Sequence, residues 1–448
     1  MSSSKTLNQK LWGIHNWIGL YSGVVIAILS VTGVLALFKV EIDEAINAHY
    51  FKIEAPDQTT TFHPNVNYLI DSLKTEYGAS SLFSIQVSHE KSKNWIANFN
   101  VIEQGSFPKA YAYQVFFNPY TGKIVGVRDR FKTFAHYIRH IHVRLFSGEG
   151  RILVGLGGIA LLLSSVTGIL IYGHFMKRQF FGAIRDKNLK LKSADLHKIV
   201  GMTTLLFNLM IAITGAWLGL QAILQPALQI KSPKGNKQIE RPISKKEDVA
   251  QAVDYIKAFN ASKALFPDLI SRSIVPSKNG SRRLLIRGDV PKTAYQNEVN
   301  SLVLDKKDYS ELGRYDIRKK SLGDKVYYAQ EGLHYGDFGG IWVKVIYSFF
   351  GLTSGGLSIL GFVLYLERTK SKQKTKVNYK TTGRKVWLWS IGITAFCLLL
   401  YMLTITVGAN IPTIVITLAF WGYLLYHFIR FVVVYSIRAV KKRVKKLT

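Results

Sequence analysis

The sequence predicts an α-helical integral membrane protein of six transmembrane helices, built on a duplicated helix–module–helix unit with two small α+β modules. Three observations carry this prediction. Long apolar runs recur along the chain, two of them repeat the same spaced residues, and the polar stretches between them alternate like strands. A 448-residue chain that is 48% hydrophobic, with 59 Lys and Arg against 28 Asp and Glu, is too apolar for a basic nucleic-acid binder and too polar to lie wholly in a membrane. Its one cysteine, Cys397, lies in an apolar run, which excludes an intrachain disulfide, a Cys-based zinc site and an iron–sulfur cluster.

The first span is read at 11–38. From Trp12 to Phe38 there is no formal charge, and at ~1.5 Å per helical residue this run exceeds a ~30 Å hydrocarbon core. It is long for a signal-peptide core and shows no clear small-x-small cleavage site, so it reads as an uncleaved anchor. Residues 39–130 form the first module: His63-Pro64 leads into an amphipathic helix, and SLFSIQVSH, NWIANFNV and AYAYQVFFN alternate like strands before the turn Pro119-Tyr120-Thr121-Gly122. Residues 131–175 join a basic, His-rich amphipathic segment, ended at Ser147–Gly150, to the second span. The segment 176–198 is basic, 199–221 is the third span, and 222–333 is a second module resembling a copy of the first. Within it KKEDVAQAVDYIKAFN reads as a helix and LISRSIV, RRLLIRG and EVNSLVLD as strands.

The fourth span, 334–366, contains a Gly351-x-x-x-Gly355 pair suited to close helix contact. A basic loop (367–385), a hairpin of two further spans (386–434) and a basic tail (435–448) complete the chain. Lys and Arg flanking the spans mark the cytoplasmic side. The N-terminus, both basic loops and the C-terminus then share that side, and both modules lie on the other. The positive charge thus reads as an orientation signal and a contact for anionic lipid in the bilayer, with no nucleic acid as partner.

The repeat is spaced residue by residue. His15, Gly19, Thr32 and Gly33 recur as His197, Gly201, Thr214 and Gly215, which points to internal duplication. His142 and His334 precede the second span of each half, with one residue of slippage. A lone His at a membrane interface is usually an amphipathic side chain, but four at duplicated places, two at each membrane face, form candidate pairs. Imidazole is a good axial ligand for iron, and a haem held by two histidines needs them on neighbouring helices at one depth. The pairs are His15 with His197 on the cytoplasmic side and His142 with His334 on the other. Gly19 and Gly201, one turn inward, leave flat space for a porphyrin. His136 and His140 are rivals to His142 within the same short segment, while Arg139 and Arg144 are placed to meet haem propionates. His174 and His427 read as interfacial, His49, His63 and His89 as solvated, and Thr32-Gly33 and Thr214-Gly215 as helix packing.

HNWIGLYSGVVIAILSVTGVL, NPYTGKIVG, IHVRLF with GEGRILVGLGGIALLLSSVTGILIY, DLHKIVG with its Thr-Gly, and GLHYGDFGG together resemble the PepSY-associated transmembrane proteins, also described as iron-regulated membrane proteins. The resemblance covers residues 11–368 and leaves out the final hairpin. It implies PepSY-like periplasmic modules, a bacterial inner (cytoplasmic) membrane location, two haem b groups with bis-His ligation, and outward electron flow reducing a ferric chelate of siderophore type. The His pairs are then haem-iron axial ligands. With no G-x-G-x-x-G fingerprint or flavin motif in the chain, the electron donor is expected to be a separate reductase or a quinol. The alternative is a haem-free membrane scaffold whose PepSY-like modules bind or inhibit a periplasmic partner such as a peptidase.

Overall fold

Among the described residues of the structure, a computed structural model, four helices are long and apolar enough to cross a membrane: Leu7–Leu37, Gly150–Tyr172, Leu205–Ala227 and Asp337–Arg368. The structure describes residues 6–57, 59–103, 109–145, 150–176, 184–185, 187–230, 233, 253–276, 282–295 and 297–370. All of these except Gly150 belong to one compact unit. The predicted hairpin 386–434 and tail 435–448, the break 146–149, residues 177–183 and 371–385 of the basic loops, and the first part of the helix read at 245–260 lie outside the described residues.

The first half runs α1 (Leu7–Leu37), α2 (Lys39–Ile46), α3 (Ala48–Phe51), α4 (Val66–Tyr77), β1 (Leu82–Gln86), β2 (Trp95–Glu103), β3 (Lys109–Asn118), β4 (Lys123–Asp129), α5 (Phe134–Arg144) and α6 (Gly150–Met176). The second half repeats the order: α7 (Leu189–Thr203), α8 (Leu205–Ala227), α9 (Tyr255–Leu265), β5 (Ile270–Pro276), β6 (Arg283–Asp289), β7 (Asn300–Asp305), β8 (Glu311–Tyr315), α10 (Leu322–Tyr335) and α11 (Gly340–Lys370). Neither β4 nor β8 was expected from the pattern, and α10 was not separated from the module before it. The third span also differs from its prediction. The helix breaks at Thr204, and its apolar part extends to Ala227, because the Thr203 and Thr204 hydroxyls donate to the Ile199 and Val200 carbonyls at 3.0 and 2.8 Å and disturb the ladder there.

The two modules are one sheet. Its eight strands are ordered β4-β3-β2-β1-β5-β6-β7-β8, with the two halves meeting at the antiparallel β1–β5 seam, where Ile85 faces Ile274 and Gln86 faces Ser273. The helices of both halves share a core with it. Ile70 of α4, Ile85, Trp95, Phe99, Phe117, Tyr255 and Phe259 of α9, Ile274 and Ile286 form a single buried cluster. The helices are also tied to each other: the Asn67 amide donates to Asp254 at 2.9 Å, and Asn67 accepts from the Tyr255 backbone at 2.9 Å. Asp254 in turn caps α9 by accepting from the Lys257 N–H.

The membrane helices associate through small residues, as expected where lipid removes the hydrophobic drive between helices. On α6, a Cβ added to Gly158 would stand 2.6 Å from the Ala216 nitrogen, and Gly155 lies against Gly219 of α8. Gly355 of α11 lies against Ser30 of α1, and Gly351 against Val34, a contact the Gly351-x-x-x-Gly355 pair predicts. Two close pairs, α6 with α8 and α1 with α11, therefore leave the bundle axis open. The outward surface is apolar, with Leu206 81% and Trp342 76% exposed.

Gly219→Leu is expected to force α6 and α8 apart and to destabilise the folded protein by about 1–3 kcal/mol, the usual range for overpacking. Gly356→Leu, at a position whose added Cβ meets nothing within 4 Å, is expected to be close to neutral. Thermal unfolding in detergent compares the two, and equal effects would remove the close-packing argument.

Candidate functional site

Two cavities lie along the bundle, and each holds one pair of histidines. His15 on α1 and His197 on α7 have ring centroids 6.2 Å apart with planes at 86°. His142 on α5 and His334 on α10 also have centroids 6.2 Å apart, with planes at 39°. A metal–imidazole nitrogen bond is about 2 Å, and the ring centre lies roughly 1 Å further back, so two imidazoles on opposite sides of one metal have centroids about 6 Å apart. Both pairs match that separation.

Three of the four histidines are supported by a threonine on a different helix. His15 Nδ1 lies 2.9 Å from Thr167 Oγ1, His142 Nδ1 3.1 Å from Thr32 Oγ1, and His334 Nδ1 2.9 Å from Thr214 Oγ1. The three hydroxyls donate their own hydrogen to the carbonyls of Leu163, Ile28 and Met210 at 2.7–2.8 Å. What remains on each Thr oxygen is a lone pair, so the imidazole donates through Nδ1–H and keeps a bare Nε2. The glycine after each Thr admits the ring: an added Cβ would stand 2.9 Å from His142 Cε1 at Gly33, 3.3 Å from His334 Cε1 at Gly215 and 3.5 Å from His15 Cε1 at Gly168. The Thr-Gly pairs read from the sequence as helix packing are therefore the seats of the histidines. The signal that identifies them is the repeat itself, which carries Thr-Gly as well as His.

The cavity of the first pair measures about 220 Å³ and is lined by Gly19, Gly23, Gly168, Gly201 and Gly361, with Lys198 and Arg368 as its cations. The cavity of the second pair measures about 530 Å³ and opens toward the sheet. Lys39, Arg139, Arg144 and Arg151 line it, against the acids Glu331 and Asp337. Arg151 is fixed by two bonds to the Leu218 carbonyl, at 3.0 and 2.8 Å. Burial raises the Glu331 carboxyl, while Arg139 and Arg151 pull it down. Asn297 of the β6–β7 loop reaches the same cavity, and Gly332 lets that loop lie against α10 through the Ala294 carbonyl. Ile26, Leu161 and Ser354 line both cavities, so the two adjoin. Between them sits a polar group the sequence reading missed: buried Asn208 donates to Thr204 at 3.0 Å and accepts from Ser354.

The other histidines lie elsewhere. His136 and His140 pack on each other at 5.8 Å, with Phe131 5.0 Å from His136, and neither lines the cavity of His142. Burial, with His140, Arg130 and Arg139 nearby, lowers His136 to about 4. His49 is exposed beside Tyr50. His63 is half-buried and packs on Gly122. His89, expected to be solvated, is exposed, and its ring also accepts from the Ser271 N–H at 3.0 Å and meets Phe259 edge-on. The His174 side chain and His427 lie outside the described residues. Among the described residues no group of three or more His, Cys, Asp and Glu side chains converges as for a bare metal ion. The donor set at each cavity is the imidazole pair.

Four apolar helices enclosing two cavities, each with facing imidazoles, under a fused antiparallel sheet, define a membrane protein with paired-histidine sites. The chain belongs to the PepSY-associated TM region family, whose model matches residues 12–368. It is also similar to an uncharacterized protein of Pseudomonas aeruginosa, 38% identical over 85 residues, which covers 19% of this chain and 21% of that relative.

The helix carrying His197 has its own anchor. Asp195 is buried, accepts from the Arg185 backbone and guanidinium at 2.8–3.0 Å and pairs with Lys198 at 3.3 Å. Arg185 holds its carboxyl well below the ordinary value of 3.8. A depressed carboxyl contributes stability that is fully present above the unfolded value and is lost progressively as pH falls from there through the lower folded value. Asp195→Asn is thus expected to lower the melting temperature at pH 7 and to lose that difference from the parent as the pH is taken below 3.8. A difference that stays constant from pH 7 to pH 3 would show that the charge is not what anchors α7.

Proposed function

We propose that this protein conducts electrons across a bacterial inner membrane and reduces a ferric chelate of siderophore type on the side where the sheet lies. The observation that carries the reading is the pair of facing imidazoles at each end of the bundle, with centroids 6.2 Å apart in both. His15 and His197 would hold one haem b and His142 and His334 a second, each through Nε2. Haem, when bound, supplies a one-electron iron centre. The donor set, the glycine-lined walls and the three Thr-fixed tautomers fit that group.

The residues around the second cavity support the direction of flow. Lys39, Arg139, Arg144 and Arg151 give it a cationic lining, suited to carboxylates and to an anionic chelate arriving from water. Electrons enter near His15 and His197 from a separate reductase or a quinol, and leave near His142 and His334. One electron converts the chelated Fe³⁺ to Fe²⁺, which hard oxygen ligands hold far less tightly, so the metal is released. In this reading the sheet is formed by two PepSY-like periplasmic modules, the described N-terminal end of α1 faces the cytoplasm, and the lipid bilayer surrounds the four helices.

A pyridine-haemochrome assay on the purified protein is expected to give two haems per chain, with a low-spin dithionite-minus-oxidised spectrum. His197→Ala is expected to remove one haem and leave the other. No haem in the parent protein would leave the haem-free scaffold as the better reading.

The assignment of the second site is tested separately. His142→Ala is expected to remove the sheet-side haem and to stop ferric-chelate reduction, while His136→Ala keeps most of both. Loss of that haem in the His136 or His140 variant, with retention in the His142 variant, would reassign the ligand.

A further inference from the structure

The duplication is broken at one position that touches a histidine. Three of the four imidazoles rest on a Thr-Gly pair, and the fourth seat, on α11, is Leu360-Gly361. Gly361 still faces the ring, its added Cβ standing 3.7 Å from His197 Cε1. The hydroxyl is missing, and among the described residues the buried His197 Nδ1 has no side-chain acceptor, only the Leu357 backbone beside it. His15, across the same cavity, has the Thr167 hydroxyl at 2.9 Å. One cavity thus has a Thr hydroxyl at both imidazoles, and the other has one at His15 alone.

We propose that Leu360 is a positioning residue that sets the potential of the His15/His197 site apart from that of the His142/His334 site. This inference rests on the two-haem reading. A hydrogen bond accepted from Nδ1–H pushes electron density through the ring onto Nε2, making it a stronger donor to a bound metal. A stronger donor favours the ferric over the ferrous state, so each anchor lowers the midpoint potential. Withholding one anchor at His197 leaves its site at a higher potential than the same site with both. A tandem duplication would otherwise give two sites with like ligand fields, and Leu360 makes the ligand fields differ.

The test is potentiometric titration of the haem α-band in the full-length purified holoprotein. It is done in the parent and in the His142→Ala background, where only the His15/His197 site titrates. Leu360→Thr and Leu360→Ser are both expected to shift that site to lower potential, and Thr167→Val to shift it higher, with the sheet-side component of the parent background unmoved. Two anchor variants guard against one failing to fold. Bound haem whose potential is unchanged by Leu360→Thr, Leu360→Ser and Thr167→Val overturns the inference and leaves the two-haem reading standing. Absence of haem from the parent protein overturns both.

Discussion

The structure depends on how neutral imidazoles are kept inside an apolar bundle. A ring N–H without a partner is costly there, and a serine or threonine hydroxyl in a helix normally spends its hydrogen on the carbonyl one turn back. The Thr hydroxyls at 32, 167 and 214 do this, and the lone pair left over accepts from the imidazole. One side-chain type thus satisfies itself, satisfies the histidine and fixes which ring nitrogen stays bare. The consequence is topological. Each His lies on one helix and its seat on another, so α1 must meet α5 and α6, and α10 must meet α8, before any site exists.

The sheet serves the same end from outside the bundle. Its two outer strands run directly into the helices that carry His142 and His334. After β4, Asp129 accepts from the Phe131 N–H, and the Thr133 hydroxyl then caps α5 at the His136 N–H. After β8, Asp316 accepts from the Arg318 N–H, and Ser321 caps α10 at Asp324. These caps repeat because the modules do. Joining the modules at β1–β5 fixes the distance between the two exits, so the depth of both helices follows from one rigid element. Tyr327 reinforces α10 by accepting from Gln221 and Gln225 of α8, each at 2.8 Å, and Lys344 on α11 reaches Glu41 of α2 at 2.7 Å.

What could be read from the chain follows from the range of the forces involved. The four described spans are visible because apolar length is a local property, and the four histidines because a duplication is visible as a repeat. The strands β1 to β3 and β5 to β7 alternate clearly. By contrast β4 reads KIVGVRD, with exposed Ile124, Val125 and Val127, and an edge strand half open to solvent loses the alternation. β8 is only five residues long. The fusion of the modules rests on pairings such as Ile85 with Ile274, too far apart in sequence for any local pattern to show. The repeat favours His142 over His136, and the rotation of α5, set by its packing against α1 and α2, is what turns His142 into the cavity. The seats were present in the sequence as Thr-Gly pairs, but their meaning lies in contacts such as that between Thr32 and His142, 110 residues apart.

The duplication supplies two like sites, and function across a membrane needs them to differ. The surroundings differ in the expected sense. The sheet-side cavity is the larger, about 530 against 220 Å³, and gathers Lys39, Arg139, Arg144 and Arg151, while the other has Lys198 and Arg368. Positive charge near a metal centre favours its reduced form, and at the low effective dielectric of a bundle interior such charges act more strongly than in water. Under the proposed electron path, the four cations of the sheet-side cavity suit an anionic acceptor arriving from water. The two linings carry the same net charge, four cations against Glu331 and Asp337 on the sheet side and two cations without an acid on the other, so the cavities are told apart by size and by how many cations can meet carboxylates.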